Sequence, residues 1–293
     1  MDSPDDVPMR QAAIRWTFIL FVLFGLGPMI SGVLLGGLRD ADGGHAATLL
    51  SGASPVSGLV RGLLMMLAAG IVGLVGAMVF SRDTGVLVTG LMFVWGAWRL
   101  GTTEEILRVA NGGGPLLVLA IEGLIVTALG VGTAALLQAI GKKDHPEGVL
   151  LAARDESTKL APSLGAIVGG AALAASVAGW LVATVPLKGQ AVFAAICAGI
   201  AAGGASQVIA TLFACRPSLM TAMLALAVVA TLGPLAAQML SGSRILDDAQ
   251  AGKMLTLARP ISFDWLAGGF LGIPIGLGWA ASMLDRHPQP ATA

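Results

Sequence analysis

Long runs of apolar residues, separated by short polar segments, are the main pattern along the chain. The hydrocarbon core of a bilayer is about 30 Å thick and a helix rises about 1.5 Å per residue, so a span needs about 20 mostly apolar residues. The runs are uniformly apolar rather than alternating with period two, which favours helices over strands. Eight runs reach or approach the required length, and they lie near 14–37, 57–80, 84–103, 115–140, 163–185, 190–214, 218–240 and 261–284.

The third run is the shortest and decides between eight spans and seven. Its strictly apolar part extends only from Val86 to Trp98. It reaches span length when Thr84 and residues 99–103 are included, because the charge of Arg99 can extend to the headgroups. We therefore expect an all-α polytopic bundle of about eight transmembrane helices, with seven as the alternative. The whole chain, 1–293, is expected to form one transmembrane domain.

Two connections carry the signals of short interfacial helices. Thr102 and Glu105 have the spacing of a capping box, and the glycines and proline at 112–115 would end a helix that begins there. This pattern predicts a helix near 103–111. The longest polar segment of the chain predicts a second helix near 148–160.

Composition agrees with a membrane location. Of the 293 residues, 56% are hydrophobic and 12% are charged, whereas a soluble domain carries about 25% charged residues. The net charge is zero and no basic tract is present, which excludes nucleic acid as a partner and leaves the lipid bilayer. The excess of arginine over lysine, with many Ala, Gly and Leu residues, is typical of a GC-rich bacterial genome. We therefore expect a multi-pass protein of a bacterial inner membrane.

Motifs of enzyme chemistry are missing from the sequence. It contains no HExxH zinc motif and no P-loop, and none of its three histidines lies inside a predicted span. The segment that begins at Asp40 starts like a calcium loop, but Gly44 stands where the next ligand is needed. We therefore expect no catalytic activity, no metal site and no cofactor.

Glycine spacing is the strongest packing signal. Gly268, Gly272 and Gly276 recur every four residues in the last span. Helices in a bilayer associate by close packing, and glycines at this spacing let two backbones approach. The stripe therefore predicts a helix-packing face, used either inside the chain or against a second copy or another membrane protein.

Glu122 is the one carboxylate in an apolar stretch that extends over 112–130. An acidic residue at the bilayer centre costs about 2.5–3.5 kcal/mol on insertion scales, so it must be protonated, paired or hydrated. With eight spans, Arg61, Arg99, Glu122 and Asp264 fall in one leaflet, and Arg99 is the favoured partner of Glu122. This cluster is interpreted either as an ion pair that fixes helix register or as a charged vestibule for a proton, an ion or a polar solute.

Two functional hypotheses follow from these features. In the first, the protein is a non-catalytic membrane subunit or scaffold that packs through glycine-rich helix faces. In the alternative, it is a small-solute or proton-coupled permease, or a channel-like protein, that uses the charged cluster. A continuous polar path would favour the permease, and a sealed interior would favour the scaffold. The concentration of polar groups in one leaflet favours the scaffold.

Overall fold

The computed structural model describes residues 9–140, 160–213, 215 and 217–284. Within these ranges the secondary structure is helical and contains no strand. Seven of the helical segments are long and apolar enough to cross a membrane. The protein is therefore an all-α multi-pass membrane protein, as the sequence predicts. The helices are α1 (Met9–Phe21), α2 (Gly27–Leu35), α3 (Pro55–Val79), α4 (Arg82–Trp98), α5 (Thr103–Ala110), α6 (Gly114–Ile140), α7 (Leu160–Val182), α8 (Lys188–Leu212), α9 (Leu219–Ser241), α10 (Ile245–Gln250) and α11 (Ser262–Leu284).

The first span contains a π-helical turn, Val22–Leu26, which joins α1 to α2 in one continuous segment. In a π-helix the carbonyl of Leu23 would accept a hydrogen bond from the N–H of residue 28, but Pro28 has no N–H. The indole Nε1 of Trp95 on α4 donates to that carbonyl instead, at 2.7 Å. A side chain of α4 thus satisfies the backbone of the first span and fixes where the two helices pack.

The helix α4 ends earlier than the sequence predicts. Its 17 residues rise about 26 Å, and the predicted tail at 99–103 is not part of it, because Arg99 caps α4 and α5 begins at Thr103. Gly85 near its start lies against α3, and Gly96 near its end lies against α11. The helix therefore crosses the bundle, which favours eight spans. Ten of its 17 residues are buried in protein, so its length need not match the lipid.

At one end of the bundle the connections are long and folded. The predicted capping box is present there: the Thr102 hydroxyl accepts from the N–H of Glu105, and the Glu105 carboxylate accepts from the N–H of Thr102. The helix predicted near 148–160 lies outside the described residues. We call this end of the bundle the capped end, and it consists of the loop 36–54, α5, residues 183–187 and the segment 242–261 that contains α10.

The tightest helix pair is formed by α8 and α11, and glycines make it possible. A Cβ atom on Gly268, Gly272 or Gly276 would overlap a backbone oxygen of α8. In return, a Cβ on Gly199 or Gly203 would overlap the backbone of α11. Both helices begin at the capped end, so they run parallel. The glycine stripe of the last span is thus occupied by α8 of the same chain and is not open to a second copy.

An apolar layer lies directly beneath the capped end. The ring centroid of Phe93 on α4 is 5.8 Å from that of Phe263 and 5.4 Å from that of Phe270, both on α11. These rings are fully buried, as are the side chains of Met65 and Met92. The layer thus places buried apolar side chains of α3, α4 and α11 at the same level of the bundle.

The α8–α11 contact gives a direct test of the fold. We expect Gly272→Ala to lower the free energy of unfolding by about 1–3 kcal/mol, because the new methyl group meets the backbone of α8, which cannot move aside. The matched control is Gly278→Ala on the same helix, where nothing lies within 4 Å of the new atom. Thermal unfolding in detergent measures both. Equal effects of the two changes would contradict this packing.

Candidate functional site

The carboxylate of Glu122 lies inside the capped end, and its residue is only 1% exposed. Its Oε2 accepts a hydrogen bond from the backbone N–H of Leu50 at 2.9 Å, and its Oε1 accepts from the hydroxyl of Ser262 at 2.5 Å. Ser262 is the first residue of α11, whereas Glu122 is about 12 Å along α6 from Gly114. The helix ends therefore leave a recess at this end, and the loop 36–54 fills it.

The deepest part of that loop has no regular secondary structure, so each of its backbone N–H groups needs its own acceptor. Ala47 and Thr48 donate to the carbonyls of His45 and Ser51, at 2.9 and 3.1 Å. The N–H of Ser51 donates to the Thr48 hydroxyl at 3.2 Å. The N–H of Leu50 donates to the carboxylate of Glu122. The N–H of Leu49 and the Thr48 hydroxyl also face this carboxylate. Glu122 thus supplies acceptors that the loop cannot supply itself.

A second carboxylate organises the outer part of the same loop. Asp40 accepts from the N–H groups of Asp42, Gly44 and Ala46 at 3.0, 2.7 and 3.1 Å. Burial of this carboxyl works against its charged form, but the three N–H groups, with a smaller contribution from His45, outweigh it and hold the pKa of Asp40 below its usual value. The segment that resembles the start of a calcium loop is therefore a turn in which Asp40 binds backbone.

Glycines on the neighbouring elements make room for the loop. A Cβ on Gly58 of α3 would overlap the carbonyl oxygen of Leu49, and one on Gly62 would overlap its side chain. Gly101 lies against the backbone at Ala46, and its N–H donates to the carbonyl of Ala47 at 2.9 Å. The loop is therefore bound by α3, by the α4–α5 connection and by Glu122 of α6.

Asp264 is paired with a lysine that the sequence analysis did not consider. The Nζ of Lys188, the first residue of α8, lies 2.9 Å from Oδ1 of Asp264. The other oxygen of Asp264 accepts from the N–H of Ile261 at 2.8 Å. The aspartate is fully buried and the lysine side chain is 14% exposed. This pair connects the parallel starts of α8 and α11.

A buried ion pair between Glu104 and Arg259 is the second feature that the sequence analysis missed. The Nε of Arg259 lies 2.8 Å from Oε1 of Glu104, and the two residues are 2% and 5% exposed. The arginine also donates to the carbonyls of Ala183 and Gly252. One guanidinium thus connects α5, the α7–α8 turn and the segment before α11.

The two arginines of the predicted cluster lie at the capped end but turn towards α2. Arg61 donates to the carbonyl of Leu34 at 3.4 Å, and the guanidinium of Arg99 lies beside Gly32. Among the described residues, Glu122 has no ion-pair partner, so its expected pairing with Arg99 is replaced by hydrogen bonds. The reason is geometric, since the loop 36–54 and Ser262 occupy the space around the carboxylate.

Chemically, this arrangement is a set of internal connections rather than a set of exposed reactive groups. Among the described residues, each of the four buried carboxylates, at 40, 104, 122 and 264, is held by donors of the protein. Within the part of the chain that the structure describes, no group of three or more His, Cys, Asp or Glu side chains is placed to hold a metal ion. The sequence signals for the partners of Glu104 and Asp264 were the arginine shortly before the last apolar run and the lysine at the start of the sixth.

Glu122 acts as a hydrogen-bond acceptor, and a neutral side chain can take over this role. Glu122→Gln should leave stability almost unchanged, because the amide oxygen can accept from Leu50 and the amide nitrogen can donate to the Ser262 hydroxyl. Glu122→Leu leaves two buried donors without acceptors, which costs about 1–3 kcal/mol for each. Thermal unfolding of the two variants in detergent measures the difference. Similar losses for both variants would show that the charge itself is required.

The buried arginine gives a second prediction at this end. Arg259→Met should lower stability by about 3–5 kcal/mol, because it leaves a buried carboxylate unpaired. Glu104→Gln in the same chain should recover part of that loss, but not the part due to the Ala183 and Gly252 carbonyls. The exposed Arg244 provides the control through Arg244→Met. Chemical or thermal unfolding that ranks the two arginines equally would exclude this role.

No protein-family model, curated protein or solved structure matches the chain. The features of the chain that bear on its function are the polar connections at the capped end, the apolar layer beneath them and the helix faces that remain uncovered.

Proposed function

We propose that this protein is a non-catalytic membrane subunit or scaffold. The observation that supports this proposal most is that the buried charged groups at the capped end are bound by other groups of the protein. Glu122 accepts hydrogen bonds from the protein itself, and Glu104 and Asp264 are paired with Arg259 and Lys188. Groups held in this way hold the fold together, whereas a transport site needs polar groups that a solute can reach and leave.

The core beneath these groups supports the same proposal. The buried rings of Phe93, Phe263 and Phe270 contact one another at this level, and they offer a polar solute no hydrogen-bond partner. The tight glycine contacts between α8 and α11 leave no room for a path between those two helices. Both features support a bundle in which the polar groups of the capped end are not part of a transport route.

The face through which such a subunit would pack is proposed to be on α7. Gly165 and Gly169 are exposed on this helix, and a Cβ on either would have nothing within 4 Å. Their spacing lets the backbone of another helix approach closely. The glycines of α11, by contrast, are already covered by α8.

One observation favours the alternative, a small-solute or proton-coupled permease. A cavity between α4, α8, α9 and α11 reaches into the bundle from the end opposite the cap, and Pro274 lies in its wall. A proline in a membrane helix can provide a hinge. A permease of this kind would have to open the apolar layer between the cavity and Glu122.

We further propose that the membrane is a bacterial inner membrane. Twelve of the 17 basic residues are arginines, and Ala, Gly and Leu are abundant, which is typical of a GC-rich bacterial genome. Expression of a tagged chain in a bacterium, followed by separation of inner and outer membranes, tests this location. Recovery in the outer-membrane fraction would contradict it.

Assembly and transport can be tested on the same preparations. We expect the wild-type chain to purify in mild detergent as a complex larger than a monomer, and Gly169→Leu to shift it to the monomer because the leucine keeps a partner helix away. Gly278→Leu, at an isolated open glycine on α11, is the control. Light scattering coupled to size-exclusion chromatography gives the mass.

Proteoliposomes that contain a pH-sensitive dye provide the second measurement. The scaffold proposal predicts that proton flux in wild-type liposomes equals that in protein-free liposomes. A proton flux in wild-type liposomes that Glu122→Gln reduces while the variant remains folded would contradict the scaffold proposal. The permease would then be the better proposal. A monomeric wild-type chain without flux would contradict the packing role of α7.

A further inference from the structure

A cavity with apolar walls lies between α4, α8, α9 and α11, in the half of the bundle away from the cap. Its volume is about 350 Å³, within the range of about 300–1,000 Å³ that ligand sites occupy. Its one charged lining residue is Asp83, and the remaining lining side chains are apolar. No enzyme motif and none of the buried ion pairs described above is part of it, so the cavity is separate from the polar groups of the capped end.

The cavity has the depth of one leaflet of a bilayer. Asp83 is the second residue of α4 and lies at the end of the bundle, while Leu91 lines the cavity eight residues further along the same helix. This separation corresponds to about 12 Å along the helix axis. Half of the hydrocarbon core of a bilayer is about 15 Å thick. The cavity thus runs from the membrane surface to near the midplane.

The walls of the cavity are not closed towards the lipid. Ile275 of α11 lines the cavity and is 41% exposed, so the space is open at the side of the bundle. Phe270, one turn earlier, is fully buried and closes the inner wall. Pro274 between them has no N–H, so α11 lacks one backbone hydrogen bond at this level. The result is a cleft that is buried on one side and open to lipid on the other.

The contents of such a cleft follow from its chemistry. Water needs two to four polar partners, and the apolar walls do not provide them. An empty cleft would forfeit dispersion contacts along its whole length. A helix of a partner protein is about 10–12 Å in diameter and would not fit here, because α11 already contacts α4, α8 and α9. A single hydrocarbon chain is the remaining occupant that the surrounding bilayer supplies.

We propose that this cavity binds one acyl chain of a membrane phospholipid, with the chain between α4 and α11 and the headgroup at the level of Asp83. The lipid acts as a structural wedge between Leu87 and Leu91 on one side and Ile275 on the other. It fills the space beside Pro274. The site is thus a lipid-binding site, independent of the packing face on α7.

Photolabelling in vesicles tests this proposal. The wild-type chain is reconstituted in phosphatidylcholine vesicles that contain a phosphatidylcholine with a diazirine in one acyl chain. After irradiation, peptides are mapped by mass spectrometry. We expect labelling of the segments 86–91 and 270–275 to exceed that of other exposed segments, and Ile275→Trp to reduce it several-fold by filling the cleft. The control is Met283→Trp, on the same helix and exposed but outside the cavity.

Leu87→Trp repeats the test from the α4 wall if Ile275→Trp does not elute as a single folded species. Labelling that falls with either filling variant and persists in the Met283→Trp chain supports the site. Labelling spread evenly over all lipid-facing helices, or unchanged by both filling variants, would overturn it and leave only ordinary contact with surrounding lipid. A label that a soluble diazirine without an acyl chain reproduces at the same segments would also overturn it.

Discussion

The capped end depends on one constraint, which is that a backbone N–H buried at membrane depth must have an acceptor. The loop 36–54 enters the recess above α11 without regular structure, and the N–H of Leu50 has no carbonyl within the loop to bind. Glu122 provides that acceptor from α6 and binds Ser262 of α11 with its other oxygen. Irregular backbone at this depth is tolerated only inside protein, and Glu122 allows the deepest part of the loop to be buried there.

Other features of the capped end follow the same principle. Arg259 is buried because it satisfies two backbone carbonyls as well as Glu104, and Lys188 is placed by the register in which α8 and α11 pack. Close helix packing through Gly272 and its neighbours sets that register. Polar contacts and glycine contacts therefore act together. The polar contacts close the end of the bundle, and the glycine contacts hold α8 against α11.

Much of the fold could be predicted because membrane thickness sets helix length. The apolar runs located the crossing helices and the capping box at Thr102 located α5. The predicted ends after Trp98 and after Val182 extended too far. The partners of Glu122 could not be predicted, because Leu50 contributes a backbone N–H and backbone groups leave no trace in a residue pattern. Arg259 was overlooked because it stands in a polar connection, where arginines are usually exposed.

Hydrogen exchange at the loop tests the central role of Glu122 most directly. In the wild-type chain, the amides of residues 46–51 should exchange slowly. In Glu122→Leu they should exchange much faster while the α8–α11 pair remains protected, and Glu122→Gln should keep the slow exchange. Mass spectrometry of peptides from the reconstituted protein resolves these segments. Fast exchange at 46–51 in the wild-type chain, or slow exchange that Glu122→Leu does not change, would contradict this account.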